Sequence, residues 1–366
     1  MAGIAVRHTL QQAWTRRGLL AWLLWPLSLL YRGVWRIRQW AYDVGLRPVH
    51  RLHVPVIVVG NVVAGGAGKT PVVIALVEHL QARGLRAGVV SRGYGRHATD
   101  CRLVTPASSA REVGDEPVLI QRRTGVPVAV AASRVQAARA LLQAHPDLDL
   151  LICDDGLQHR ALHRDIEICL FDQRGVGNGF VLPAGPLREP WPRPVDLVVS
   201  AGTAPPGVSA FTASRSLADH ALRADGSRQA LRALAINTDG PARPLLAVAG
   251  TAEPGVFFAM LRARGLTLSR TVPLPDHADF DAAQWRGDTG HTLLCTEKDA
   301  VKLWQHRPDA LAVPLVLALE APFWRSLEQM LSSRGTQRIR AKLSSGHGYT
   351  PSRPAGLPGH QGAAGI

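Results

Sequence analysis

Residues 56–71 read VIVVGNVVAGGAGKTP: an apolar run, a glycine-rich turn, then Gly68-Lys69-Thr70 and a helix-like segment. That order suits a phosphate cradle. Backbone N–H groups of Gly65, Gly66, Ala67 and Gly68 can surround phosphate oxygens, Lys69 can reach the terminal phosphates, and the Thr70 hydroxyl can hold Mg²⁺. A helix expected over Pro71–Arg83 points its positive end at the same anion. Pro71 suits a first helical turn, where its missing N–H costs nothing. The spacing departs from G-x-x-x-x-G-K-[ST], whose first glycine would fall on Val63. Lysine usage supports the site nonetheless. Lys69, Lys298, Lys302 and Lys342 are the only lysines among 42 basic residues. A chain that writes nearly all its positive charge as arginine keeps a compact ammonium where phosphate chemistry uses one.

Asp154-Asp155 closes the apolar run LLIC. In phosphate-loop enzymes an acid at that place holds Mg²⁺ directly or through water, although a turn with a solvated acid pair reads the same way. Asp115-Glu116 opens a helical segment, where capping explains one acid but not two. With Arg92, Arg96 and Arg188 as candidate neighbours, a proton-accepting or Mg²⁺ role stands beside the capping one. Residues 178–190 read NGFVLPAGPLREP, so their prolines and glycines impose a rigid loop that can aim Arg188 at a transferred phosphate. Pro275-Asp276-His277 and Thr296–Lys302 lie at strand ends, where ordinary capping suffices.

The elements that must position these residues alternate. Strands are expected at 52–60, 87–91, 126–131, 148–153, 166–171 and 197–200, with helices between them and the chemically capable residues at strand C-termini. This implies an α/β fold with a doubly wound parallel sheet. Residues 201–243 carry no clear pattern. The alternation then restarts, with strands at 245–249, 268–272, 292–295 and 313–319 and a helix at 254–264. The expected organisation is an N-terminal interfacial segment (1–48), a phosphate-loop core (49–243), a smaller α/β lobe (244–331) and a basic, disordered tail (332–366).

Charge is uneven. Residues 1–50 carry seven arginines and one acid, residues 334–366 five basic residues and none, and the 283 residues between them only +3 of the net +14. The basic ends suit an anionic surface, and no nucleic-acid motif accompanies them. Leu19–Tyr31 is a 13-residue apolar run flanked by arginines and interleaved with tryptophan, too short to span a bilayer and composed like a helix lying in the interface. A buried helix and a twin-arginine export signal are the alternatives, the latter lacking a cleavage site. The four scattered cysteines form no metal or disulfide framework, as in a reducing cytoplasm.

Taken together, GN-x₄-GG-x-GKTP, SRGYGR, GDEP, DDGLQH, RDIEI, GNG-x₃-PAGPLREP, PDH and TEKDAVKL resemble the tetraacyldisaccharide 4′-kinase family over about residues 10–330. The resemblance implies a kinase using ATP and Mg²⁺. Its acceptor would be a lipid, tetraacyldisaccharide 1-phosphate, met at the cytoplasmic face of the inner membrane, with no nucleic acid and no obligate protein partner. It further implies Asp115 as base with His277 as its partner, Lys69 and Arg188 facing phosphate, Thr70, Glu116, Asp154 and Asp155 around the metal, and Ser91, Arg92, Gly93, Tyr94 and Asn178 near the acceptor. Val63, Ala64, Ala67 and Ala278 depart from residues common in the family. Two other classes stay open on the residues alone. A membrane-associated ATPase switch would carry lysine where Ala64 stands, and a kinase of a soluble metabolite would leave the Trp/Arg-flanked helix unexplained.

Overall fold

The computed structural model describes residues 12–344 apart from 67, 203, 237–242, 279, 281–284 and 286–289. Helix α1 (Leu19–Asp43) precedes β1 (Val56–Gly60) and α2 (Lys69–Ala82). Then come β2 (Ala87–Ser91), β3 (Arg102–Val104), α3 (Ala110–Val113), α4 (Asp115–Thr124), β4 (Val128–Val130), α5 (Arg134–Ala144) and β5 (Leu150–Asp154). β6 (Ile166–Phe171), β7 (Leu197–Ser200) and β8 (Phe211–Leu217) follow, then β9 (His220–Leu222), β10 (Arg228–Ala230), α6 (Leu231–Ile236), β11 (Leu245–Ala249), α7 (Pro254–Ala263) and β12 (Leu268–Pro273). The described residues end with β13 (Thr292–Thr296), α8 (Glu297–Leu303), β14 (Leu311–Val313), β15 (Leu315–Leu319), α9 (Ala321–Arg334) and α10 (Gln337–Ser344).

Among the described residues two sheets form. The larger has nine strands in the order β15-β8-β7-β6-β1-β5-β2-β4-β3 and is parallel except at its two edge pairs. The smaller has six, in the order β10-β9-β14-β13-β11-β12, parallel from β14 to β12. Period-two alternation sorts the central strand of the large sheet. Ile57 and Val59 join Val72, Leu76 and Leu80 of α2 on one face, while Val56 and Val58 join Val135, Ala138 and Leu141 of α5 on the other. The strand is therefore apolar throughout, as one covered by helices on both sides must be.

The sheets divide the chain differently from the expected boundaries. β8 within the unassigned 201–243 belongs to the large sheet, and β9 and β10 to the small one. The single strand expected at 313–319 is two. β14 ends at Val313 in the small sheet, Pro314 interrupts, and β15 returns to pair antiparallel with β8. A proline donates nothing to a ladder, which makes it a place to change sheets. The tail expected from 332 begins as structure: α9 runs to Arg334, and α10 buries Ile339 completely while Arg338 and Lys342 reach Asp149 at 2.7 Å. Residues 345–366 lie outside the described residues.

Candidate active site

β1 and β5 are neighbours with Val59 opposite Asp154, so the glycine turn after β1 and the acids after β5 emerge side by side. The chain order places this edge where the winding reverses, which is the crevice parallel α/β sheets use for ligands. Lys69 and Thr70 start α2 and are both largely buried. Gly68 caps that helix at φ 72°, and a Cβ there would collide with the Arg215 guanidinium. The positive φ is what calls for glycine here, since the arginine end could move aside. Val63 replaces the first motif glycine because a strand-like bridge to Leu187 holds the loop entry. Ala64 N–H donates to Pro186 O and Arg188 N–H to Val62 O, both at 2.7 Å. Ala67 lies outside the described residues.

The Lys69 ammonium stands 3.4 Å from Asn61 Oδ1 and 3.7 Å from Asp155. Arg188 Nη1 donates to both oxygens of Asp155, at 3.1 and 3.2 Å. Burial pushes the Asp155 carboxyl upward, but Lys69 and Arg188 outweigh it and hold it below the usual range. Asp154 behaves oppositely. Burial, with the charges of Glu116 and Asp155, pushes it up to about 7. Its Oδ2 accepts from Ser91 at 3.2 Å, while Oδ1 is buried with no partner. Such an atom is stabilised by a cation. Glu116 lies near enough to act on its charge, and Thr70 and Glu116 border one cavity, so these oxygen donors fit Mg²⁺. Among the described residues no three His, Cys, Asp or Glu side chains converge on one point. Mg²⁺ accords with that, since it keeps waters and takes phosphate oxygens.

Asp115 opens α4 and is 4% exposed. His277, from the turn after β12, brings Nδ1 to 3.1 and 3.0 Å from its two oxygens. An ionised carboxylate only accepts, so Nδ1 carries the proton. Its other charged neighbours are Lys302 at 3.5 Å and Lys298 at 3.9 Å, both from α8. Burial opposes the Asp115 charge, yet His277 and the two lysines bring its pKa to about 2. The hydrogen bond to Asp115 raises His277. Arg188, one of the expected neighbours, goes to Asp155 instead. The pairing across the two sheets is already made in this structure.

His277 has φ 61°, uncommon for a residue with a side chain. Lys302 supports that turn by donating to the carbonyls of His277 and Ala278 at 3.3 Å. Gly93 approaches the start of α4 so closely that a Cβ would lie 2.5 Å from Val113 O. This brings the exposed Tyr94 ring to 5.1 Å from His277. Ser91 sits beneath, on Asp154, and Arg92 is exposed. Asn178 does a different job. Its amide donates to Ala184 O and Ala13 O and accepts from Phe180 N–H, tying the rigid loop to the N-terminal segment.

Three contributors were given no role in the site by the sequence. Lys298 and Lys302 fall at i and i+4 on α8 in a chain with four lysines, the same scarcity that singles out Lys69. Arg174 donates to Ala64 O and Gly66 O at 3.3 and 3.2 Å, holding the glycine turn from outside. A cavity of about 240 Å³ reaches Lys298 but neither Lys302 nor Arg174. Lys69, Thr70, Glu116 and Lys298 border its polar part, and Ile74, Leu217, Val256, Met260 and Leu315 its apolar part. A polar end built for phosphates and an apolar slot fit a nucleotide.

Helix α1 crosses the rigid loop. Ser28 Oγ donates to Val181 O at 2.8 Å and Tyr31 OH to Arg188 O at 2.6 Å. Its other face exposes Leu19, Leu23, Leu30 and Ile37 at two thirds or more of their surface. No helix among the described residues is long and apolar enough to cross a membrane.

Residues 20–335 match the family model described as Tetraacyldisaccharide-1-P 4′-kinase. A protein of Acidovorax sp. (strain JS42), named tetraacyldisaccharide 4′-kinase, is 57% identical over 326 residues, covering 88% of this chain and 94% of that one. One of the same name from Verminephrobacter eiseniae (strain EF01-2) is 56% identical over 333 residues, covering 89% and 76%. The crystal structure of the "apo" form of LpxK from Aquifex aeolicus in complex with ATP superposes with a TM-score of 0.74 at 29% identity, covering 87% of this chain and all of that one.

Proposed function

This chain belongs to the tetraacyldisaccharide-1-P 4′-kinase family, and from that premise we propose how its residues divide the work. The reaction moves the γ-phosphate of ATP to the 4′-hydroxyl of a tetraacylated glucosamine disaccharide 1-phosphate, a step of lipid A biosynthesis. Lys69 and the backbone of Gly65, Gly66 and Gly68 hold the β- and γ-phosphates at the start of α2, with the base in the apolar part of the cavity. Thr70, Asp154 and Glu116 hold Mg²⁺, and Asp155 keeps Lys69 and Arg188 in place for phosphate. Bound there, the metal neutralises charge on the transferring group. Arg188 adds a planar cation to the same task.

A sugar hydroxyl is a poor nucleophile at neutral pH, and Asp115 accepts its proton as attack proceeds. A carboxylate brought to about 2 by its cations is a weak base. That is tolerable, because a loose phosphoryl-transfer transition state asks for little bond formation from the nucleophile and the proton leaves late. His277 fixes the carboxylate's orientation and takes part in its charge balance. Tyr94, Arg92 and the Ser91–Gly93 turn border the approach of the acceptor, and α1 lays its apolar face on the lipid surface at the cytoplasmic side of the inner membrane.

The observation that carries this reading is the Asp115–His277 pair beside the lysine- and threonine-lined cavity. Phosphate transfer from labelled ATP to tetraacyldisaccharide 1-phosphate in detergent micelles tests it. Asp115→Asn should lower kcat by about 10²- to 10⁴-fold, the usual worth of a positioned base. Transfer that survives in this variant would remove Asp115 as the base.

A further inference from the structure

We propose that Lys298 is a second phosphate-facing lysine, the small lobe's direct contribution to the γ-phosphoryl group, acting opposite Lys69. The proposal deepens the kinase reading and takes from it that Asp115 receives the acceptor's proton.

Three facts locate the ammonium. Lys298 borders the same cavity as Lys69 and Thr70. Its Nζ lies 3.9 Å from Asp115. It is held there by Asp276 at 2.7 Å, with His277 Nε2 at 3.4 Å. The reaction's own geometry then sets a distance. The attacking oxygen must be about 3 Å from both the carboxylate that takes its proton and the phosphorus it attacks. The phosphorus therefore stands within about 6 Å of Asp115. A lysine ammonium 3.9 Å from that carboxylate, in the wall of the phosphate cavity, is within reach of the equatorial oxygens. Those oxygens spread the charge of the transferring group.

Burial disfavours the Lys298 ammonium, but Asp115, Glu116 and Asp276 outweigh it and keep the group charged. Lys302 does not compete for this role. Its donors go to the His277 and Ala278 carbonyls and to Asp115, and it does not border the cavity. Arg188 and Lys69 approach from the large sheet's side, through Asp155. Lys298 therefore supplies charge from the opposite wall.

The test is calorimetric titration of ATP and of ADP, in the presence of Mg²⁺, into the intact enzyme, Lys298→Met and Lys298→Arg. The contact is to the γ-phosphate, so Lys298→Met should lower the ratio of ATP to ADP affinity by about tenfold while leaving ADP binding near the unsubstituted value. Transfer to the lipid acceptor should fall by about 10²- to 10³-fold, the usual loss for one preorganised electrostatic donor. Lys298→Arg keeps the charge and should recover part of both. An unchanged ATP/ADP ratio with lost transfer would overturn the proposal and leave Lys298 as a support for the Asp115–His277 pair. Equal loss of ATP and ADP binding would overturn it as well, marking a general disturbance of the cleft. The Asp115→Asn enzyme separates this proposal from the reading beneath it. If Asp115→Asn transfers phosphate normally, the base assignment fails, and with it the distance that places Lys298.

Discussion

At Asp115 three cationic or cation-forming side chains converge on one buried carboxylate, and they bear on its titration as well as on its chemistry. The group falls from an ordinary 3.8 to about 2 in the folded protein. Its folded value lies below its unfolded one, so the unfolded chain takes up the proton first. The stabilisation, about 2 kcal/mol by linkage, is complete above about pH 4 and is lost as pH falls towards 2. The difference in denaturation free energy between the enzyme and Asp115→Asn should therefore shrink across that window, and a difference that stays constant from pH 5 to 2.5 would contradict the pairing. The acid itself was legible as half of an acid pair at a helix start. Its partners were not, because Lys298, Lys302 and His277 lie more than 160 residues away and only the closing of the small sheet against α4 brings them in. Asn178 shows the converse. It lies in a motif shared with the family, yet its amide is committed to backbone carbonyls of the loop and the N-terminal segment.

At the scale of elements, strands buried on both faces were readable. β11 is an unbroken apolar run, and β6 and β7 are apolar but for Glu167 and Ser200. β8 was not, since Thr, Ser and Arg alternate along a strand near the sheet's edge and only Ala213 and Leu217 are buried. β14 and β15 read as one strand because periodicity cannot report a change of sheet. Helix α1 was legible in composition, and its fold context adds the reason it stays on the surface. Ser28 and Tyr31 bind the rigid loop while Leu23 and Leu30 face outward. Replacing both outward leucines by glutamate should reduce co-sedimentation with anionic phospholipid vesicles by tenfold or more, because each loses apolar burial and meets a negative surface. Thermal unfolding should shift little, since neither side chain packs in a core. Undiminished sedimentation would place the lipid contact elsewhere.

For the molecule as a whole, the two sheets are joined along α4 and α8, and the Asp115–His277 pair is one end of that junction. At the other end Arg123 of α4 donates twice to Glu297 of α8 at 2.9 Å. α4 is thus held to the small lobe at its first turn by Asp115 and at its last by Arg123, about 12 Å apart along a helix. Burial raises the Glu297 carboxyl despite Arg123, so removing the arginine leaves a desolvated acid without its partner. Arg123→Ala should cost about 2 kcal/mol in chemical denaturation, less than a fully buried pair because the guanidinium retains some exposure. Arg123→Ala with Glu297→Gln should cost less than the two single changes summed, by about 1 kcal/mol or more. Turnover reads the geometric part of the clamp. If Arg123 keeps α4 in register with α8, its loss lets Asp115 drift from His277, and a drift of one ångström at the reacting groups is felt strongly in rate. Phosphate transfer in Arg123→Ala should accordingly fall by tenfold or more while ATP affinity holds, because neither Arg123 nor the far turn of α4 borders the phosphates. Full activity with lost stability would mean that the Asp115 end of the junction holds its own register.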